Sequence, residues 1–234
     1  MKIVTAEYKD VHKLNEWIPT VQTMNIDYII YRKVDTLKIG EEVHVSKNTI
    51  EIPNFGRCDY AFLYHIINNY DDLDDVTVFV KSNWKDNGID LYGHLQKCSD
   101  YDYMQSGTLR KYQHWNDKNL VYPRDEELHK CTHPFAQTCF DWYNEIYPNV
   151  EPPDVVHGYG HGPCFSVSRR LIQRHPKSIY IHLLNKFYPD SNSWNTYIAS
   201  KFCSTLDDQK NDVGKHYHDH FQRFYTVLFT HNTS

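Results

Sequence analysis

The 234-residue sequence has no apolar run approaching the roughly 20 residues needed to cross a bilayer, so no membrane span is expected. At its start, Met1-Lys2-Ile3-Val4 runs into the charged stretch Glu7 to Lys13 without the apolar core of a secretory signal. This leads to the expectation of a cytoplasmic protein. No Cys-x-x-Cys pair occurs: Cys58, Cys98, Cys131, Cys139, Cys164 and Cys203 lie far apart. That argues against a disulfide framework or a thiolate zinc site and leaves reduced, mostly buried thiols. Long Lys/Arg runs are missing too, and the formal net charge is -5, so a nucleic-acid backbone is not the expected partner. There is no repeat and no low-complexity linker, and the length suits a single domain over 1–234. What the sequence has in quantity is aromatic surface, 19 tyrosines and 5 tryptophans. Flat rings with a polar handle serve sugar and base recognition, and they equally serve core packing.

The order of patterns predicts an α/β fold with a mostly parallel central sheet flanked by helices. Ile3–Ala6 reads as a short strand, Val11–Ile18 as a helix stopped by Pro19, and Ile26–Tyr31 as a second buried strand. Val43–Val45 and Thr49–Ile52 add short strands. Cys58, Phe62, Ile66 and Tyr70 then recur four apart, which is an amphipathic helix with Asn54 near its start. Asp71, Asp72, Asp74 and Asp75 fall in a solvated turn before Val76–Val80, whose β-branched run suits a central parallel strand. Further on, a helix is expected over Leu91–Cys98 and a strand within Tyr103–Tyr112. Helices are also expected over Ala136–Tyr147, Lys177–Phe187 and Trp194–Phe202. A Gly/Pro-rich loop with Pro152, Gly158, Gly160 and Gly162 leads into a strand at Cys164–Val167, with Ser168 as the cap of the next helix. Phe221–Phe229 is apolar enough to dock on the body as either helix or strand.

In open α/β sheets ligands bind beyond the carboxyl ends of the strands, beside helix N-termini. By this rule the Asp71–Asp75 run sits at the wrong end of its strand, and Lys81, Ser82 and Asn83 sit at the correct one. A crossover helix runs antiparallel to its strands, so Asn54, Gly56 and Arg57 approach Lys81 and its neighbours. Free amides at the helix start together with Arg57 and Lys81 would form a diphosphate cradle. The bland alternative is a capped helix carrying a surface cation. His157 and His161 in the glycine loop suit either a loop over a site or metal ligation, and the His216–His220 tail suits chelation or plain solvation.

The stretch Ile52-Pro53-Asn54-Phe55-Gly56-Arg57 through Tyr70-Asp71-Asp72-Leu73 and Val76-Thr77-Val78-Phe79 resembles a glycosyltransferase-like family. The hallmark of that family is Asn-x-Gly-Arg-Glu, a helix, and Tyr-Asp-x-Leu. Gly162 to Leu184, with Phe165-Ser166-Val167-Ser168-Arg169 and His175-Pro176, looks like its second block. The layout is also similar to A-type, Rossmann-related glycosyltransferases. The resemblance implies a nucleotide sugar as donor substrate, a UDP-sugar favoured, and a glycan or glycoprotein hydroxyl as acceptor. It makes 1–90 the nucleotide-binding half, 91–215 the acceptor half and 216–234 a C-terminal segment. Donor-binding residues would be Thr5, Glu7, Asn54, Gly56, Arg57, Lys81, Ser82 and Asn83, with His161 and Asp190 as candidates for the general base.

The sequence departs from the pattern in two places. Cys58 stands where the family has Glu, and Lys81-Ser82-Asn83 stands where A-type enzymes carry the metal-binding Asp-x-Asp. Either Lys81 and Arg57 neutralise the diphosphate, or a manganese or magnesium ion is held elsewhere, with Asp86, Asp100 and Asp102 the nearest acids in sequence. The missing acids also suit a non-catalytic carbohydrate- or nucleotide-binding module of the same fold. The histidines suit a metal-dependent hydrolase.

Overall fold

The computed structural model describes residues 1–38, 40–54, 56–106, 109–113, 139–150, 155–160, 164–185 and 224–230. The fold is α/β, built on a seven-stranded mixed sheet flanked by helices on both faces. The first half of the chain supplies β1 (Lys2–Glu7), α1 (Val11–Asn15), α2 (Ile18–Thr23), β2 (Asp27–Val34), β3 (Val43–Ser46), β4 (Thr49–Pro53), α3 (Arg57–Asn68) and β5 (Val76–Lys81). After it come α4 (Leu91–Lys97), β6 (Tyr103–Gln105), β7 (Leu109–Gln113), α5 (Cys139–Ile146), β8 (Val155–Gly160), β9 (Cys164–Ser168), α6 (Arg169–Gln173), α7 (Lys177–Asn185) and a final helix α8 over 224–230. In the sheet the order is β3-β4-β2-β1-β5-β9-β6, while β7 and β8 pair separately. Strands β4, β2, β1 and β5 run parallel, and β3 and β9 run antiparallel to their neighbours.

Strand alternation divides the core into two layers. On one face Val4, Ala6, Tyr31, Ile52, Phe79 and Phe165 meet α3, α5, α6, α7 and α8. On the other, Ile3, Ile30, Val78, Val80 and Cys164 meet Leu14, Trp17 and Val21 of α1 and α2 and Leu91 and Leu95 of α4. Helix α3 forms because Ala61, Phe62 and Ile66 present one continuous apolar face, all fully buried, to the sheet. Among the described residues no helix is long and apolar enough to cross a membrane, and Cys58, Cys98 and Cys164 are buried thiols outside any disulfide.

Three local expectations are corrected. Pro19 does not stop a helix over Val11–Ile18; it lies in the first turn of α2, where its missing N–H and fixed φ are harmless, and the break falls just before it. The strand expected within Tyr103–Tyr112 is two strands in different sheets. Within the glycine-rich stretch, residues 155–160 form β8 rather than loop, because pairing with β7 supplies the backbone partners that glycines do not encode. The undecided C-terminal stretch is helical over 224–230. The helix expected over Trp194–Phe202 lies outside the described residues.

Candidate functional site

Strands β2 and β4 lie to one side of β1 and β5 to the other, so the connections reverse direction between β1 and β5. That is a topological switch point, and its carboxyl edge is where α/β sheets form crevices. Strand β4 delivers the chain to the same edge, and α3 starts there. Gly56 precedes its first residue with φ 55°, ψ 27°, a left-handed conformation that a side chain disfavours. The edge therefore gathers Glu7 and Tyr8, Arg32 to Asp35, Asn54, Gly56 and Lys81 to Asn83.

The two faces of this edge differ in charge. On the α1/α2 face, Glu7 is almost fully buried and accepts hydrogen bonds from Arg32 Nε at 3.1 Å and from the Asp10 amide at 2.9 Å. Arg32 also meets Glu51 on β4 at 3.7 Å, so the cation is matched by two carboxylates. Glu7 thus fixes the turn after β1, in which Lys9 is left-handed at φ 61°. The turns after β1 and β5 are tied together. Trp17 Nε1 donates to the Ser82 carbonyl at 3.1 Å, and Lys13–Asp86 and Lys85–Glu16 pair at 3.2 and 3.5 Å.

On the α3 face, Lys33 and Lys81 share a side of the sheet. Lys33 follows Tyr31 by two residues and pairs with Ile52, while Lys81 follows Phe79 by two and pairs with Ala6; all four of these neighbours belong to that core layer. Lys33 is 5 % exposed. Outside it, Asp35 draws together three strand ends, taking hydrogen bonds from Tyr8 Oη at 3.1 Å and Asn54 Nδ2 at 2.7 Å, with Lys9 Nζ at 3.9 Å. Lys9 also lies 4.6 Å from the centre of the Tyr8 ring, a cation–π contact.

Of the residues expected at the donor site, the fold brings Glu7, Asn54, Gly56, Lys81, Ser82 and Asn83 to this edge, with the backbone of Arg57 opening α3. Several of their roles change. Asn54 donates to Asp35, Glu7 is engaged by Arg32 and Asp10, and Ser82 is buried. Thr5 is fully buried on the α1/α2 face, with its Oγ1 lacking a hydrogen-bond partner, so it belongs to the core rather than the crevice.

The acids proposed as metal ligands separate. Asp86 lies at the carboxyl edge, paired with Lys13. Asp102 lies at the opposite edge, because its carbonyl accepts the Ser168 amide and Ser168 pairs with Val76 at the start of β5. There it binds Ser168 Oγ at 2.7 Å and the Arg170 guanidinium, which holds its carboxyl below the usual range. Asp100, just before it, is exposed. At that edge Lys2 and Arg169 pair with Asp74 and Asp75, so half of the acidic run is ion-paired rather than merely solvated. Among the described residues no three His, Cys, Asp or Glu side chains form a group able to hold a metal ion. His161, Asp190 and the His216–His220 tail lie outside the described residues.

Arg32, Lys33 and Asp35 were missed in the sequence. The signal was present: Arg32-Lys33 directly follows the apolar run Ile26–Tyr31, and the strand continues through Val34, carrying one cation to each face.

No curated protein matches the sequence. A family model described as "Protein of unknown function (DUF3431)" matches residues 3–205, which include all of the edge just described, and the chain belongs to that family.

Proposed function

We propose that the protein is a glycosyltransferase that moves a sugar from a nucleoside-diphosphate sugar, a UDP-sugar in the favoured case, to a glycan or protein hydroxyl. The observation that carries this reading is the carboxyl edge at the β1/β5 switch point. There Lys81 stands on the face covered by α3, and the left-handed Gly56 starts that helix at the same edge. A helix start and a lysine at such a crevice favour an anion of phosphate type. In the transfer, the acceptor oxygen bonds to the anomeric carbon as the bond from that carbon to the diphosphate oxygen breaks. The electron pair leaves on the diphosphate, and the acceptor proton passes to a base, for which His161 and Asp190 remain the sequence candidates.

Lysine, rather than a bound metal, is the counter-charge that this reading assigns to the leaving diphosphate. Asp86 is engaged by Lys13 and Asp102 by Arg170 at the other edge, whereas Lys81 occupies the position where A-type enzymes keep an acidic motif. Turnover of UDP-sugar should therefore survive a chelator, and Lys81→Ala should lower the rate about 10²–10³-fold, the scale for losing one preorganised donor to developing charge. Loss of activity in chelator with recovery on adding manganese would replace the lysine by a metal.

The substitution of Lys81-Ser82-Asn83 for acids also favours a second reading, a non-catalytic nucleotide- or carbohydrate-binding module. Slow hydrolysis of UDP-sugar without any acceptor separates the two, since a binding module shows none.

A further inference from the structure

We propose that Ser106 and His94 form a proton relay on the acceptor side of this site, in which Ser106 Oγ takes the proton of the incoming hydroxyl and His94 Nδ1 takes that of Ser106. The proposal rests on the nucleotide-sugar reading above and supplies it with a base that neither the motif nor its spacing singled out. The observation that carries it is a half-used imidazole. His94 is 1 % exposed, and its Nδ1 is in hydrogen-bonding contact with Ser106 Oγ. Its Nε2 has no hydrogen-bond partner among the described residues. Burying a polar atom without a partner is unfavourable, so an imidazole retained for a single contact, to a hydroxyl, calls for a role other than packing.

The fold places this pair at the carboxyl edge. Strands β5 and β6 both run antiparallel to β9 and are therefore parallel to each other. Ser106 directly follows β6, and its amide donates to the Cys164 carbonyl at 2.9 Å; Cys164 in turn pairs with Val80, the residue before Lys81. The Ser106 backbone thus lies level with Val80 and two strand spacings, about 10 Å, to its side. Ser106 is half-buried, whereas His94 is buried with Leu91 and Leu95 on α4, a helix that Asp90 caps by accepting the Gly93 amide. The proton affinities suit the direction of transfer. Burial, opposed in part by Asp90, lowers His94 to about 4, so the ring is neutral at physiological pH and has the basicity of a carboxylate, a group that serves widely as a general base. Burial pushes the neighbouring Cys164 thiol up to about 12, which keeps it protonated beside Ser106. In the transfer the acceptor oxygen bonds to the anomeric carbon, and the bond from that carbon to the diphosphate breaks with its electron pair leaving on the diphosphate. The acceptor proton moves to Ser106 Oγ and the Ser106 proton to His94 Nδ1, in the tautomer whose own hydrogen is on Nε2. The imidazolium returns its proton by the same route once product leaves.

The test uses the full chain with UDP-glucose, UDP-galactose and UDP-N-acetylglucosamine, following UDP release with water as the acceptor, and with UDP alone by isothermal titration. His94→Gln keeps a polar side chain beside Ser106 but cannot take up a proton. It should lower kcat about 10²–10⁴-fold, the range for loss of a general base, while KM and UDP affinity stay unchanged. Ser106→Ala, at a half-buried position, should lower kcat in the same way even where replacing the buried imidazole unfolds the chain, and Ser106→Thr, which keeps the hydroxyl, should recover part of the rate. Parental kcat in a folded His94→Gln or Ser106→Ala protein overturns the relay and leaves the nucleotide-sugar reading intact. A parallel loss of UDP affinity makes the pair part of the packing and also overturns the relay. A parent that binds UDP but turns over none of the three donors has no use for a base, which removes the relay and the transferase and leaves the binding module. A parent that does neither sinks all three.

Discussion

At the scale of single residues, the buried polar groups divide into those that build the fold and those turned toward the edge. His65 belongs to the first kind. It belongs to α3, its Nδ1 lies 3.0 Å from Tyr31 Oη of β2, and burial, with a smaller contribution from Lys2, lowers its pKa from 6.5 to about 3. Burial likewise lowers His94 to about 4. The folded protein therefore declines protons that the unfolded chain accepts below pH 6.5, so the stabilisation is complete above that pH and is lost as pH falls toward the folded values. Between pH 6 and 4 the urea-derived unfolding free energy should drop by roughly 1.4 kcal/mol per pH unit for each such histidine, and His65→Asn should remove about one proton from that slope. An unchanged slope in the variant would mean that His65 already titrates normally in the folded protein. Neither histidine declares itself in the sequence, where a buried and a ligating imidazole look alike.

At the scale of elements, the decisive unit is β4 to α3 to β5. The helix was legible from its four-residue apolar spacing and the strand from its β-branched run, but the device that joins β4 to α3 is conformational. Gly56 opens α3 at φ 55°, and Asn54, expected near the helix start, donates to Asp35. A methyl group at a left-handed position is unfavourable by roughly 1–2 kcal/mol, so Gly56→Ala should lower stability by about that amount and also shift the amides of the first turn, weakening UDP binding. Paired thermal and titration measurements check both parts, and full stability with full affinity would show that the turn tolerates a side chain. Pro19 teaches the same lesson from the other side: proline is read as a stop, yet in the first turn of α2 it is a start.

At the scale of the whole molecule, the layer that covers the α3 face is completed from the far end of the chain. Helix α8 lies beyond the 3–205 span of the family match, yet its residues 224, 225 and 227–229 are buried in the main core. Phe229 and Tyr225 pack on Phe165 with ring centroids 6.2 and 4.7 Å away, and Phe165 in turn meets Phe79 of β5 at 5.0 Å. His175 Nε2 and Arg174 lie within hydrogen-bonding distance of the Leu228 carbonyl, each at 2.9 Å. Phe229→Ala should therefore cost about 3–5 kcal/mol, as for a large aromatic removed from a closed core, measurable as a lower denaturation midpoint with an unchanged slope. A loss below about 1 kcal/mol would mean that the helix is peripheral.

By itself the sequence determined the α/β class, the core strands Ile3–Ala6 and Val76–Val80, the crossover helix after Asn54 and the edge on which Lys81 stands. Each of these follows from local periodicity and from the fixed direction of a crossover unit. The tertiary structure alone decided which charges meet. Glu7 closes on Arg32 across adjacent strands, Asp102 departs with Arg170 to the opposite edge, and Lys33 comes to share a face with Lys81. Such pairings depend on strand order and register, which bring together residues tens of positions apart. Local spacing carries no record of them.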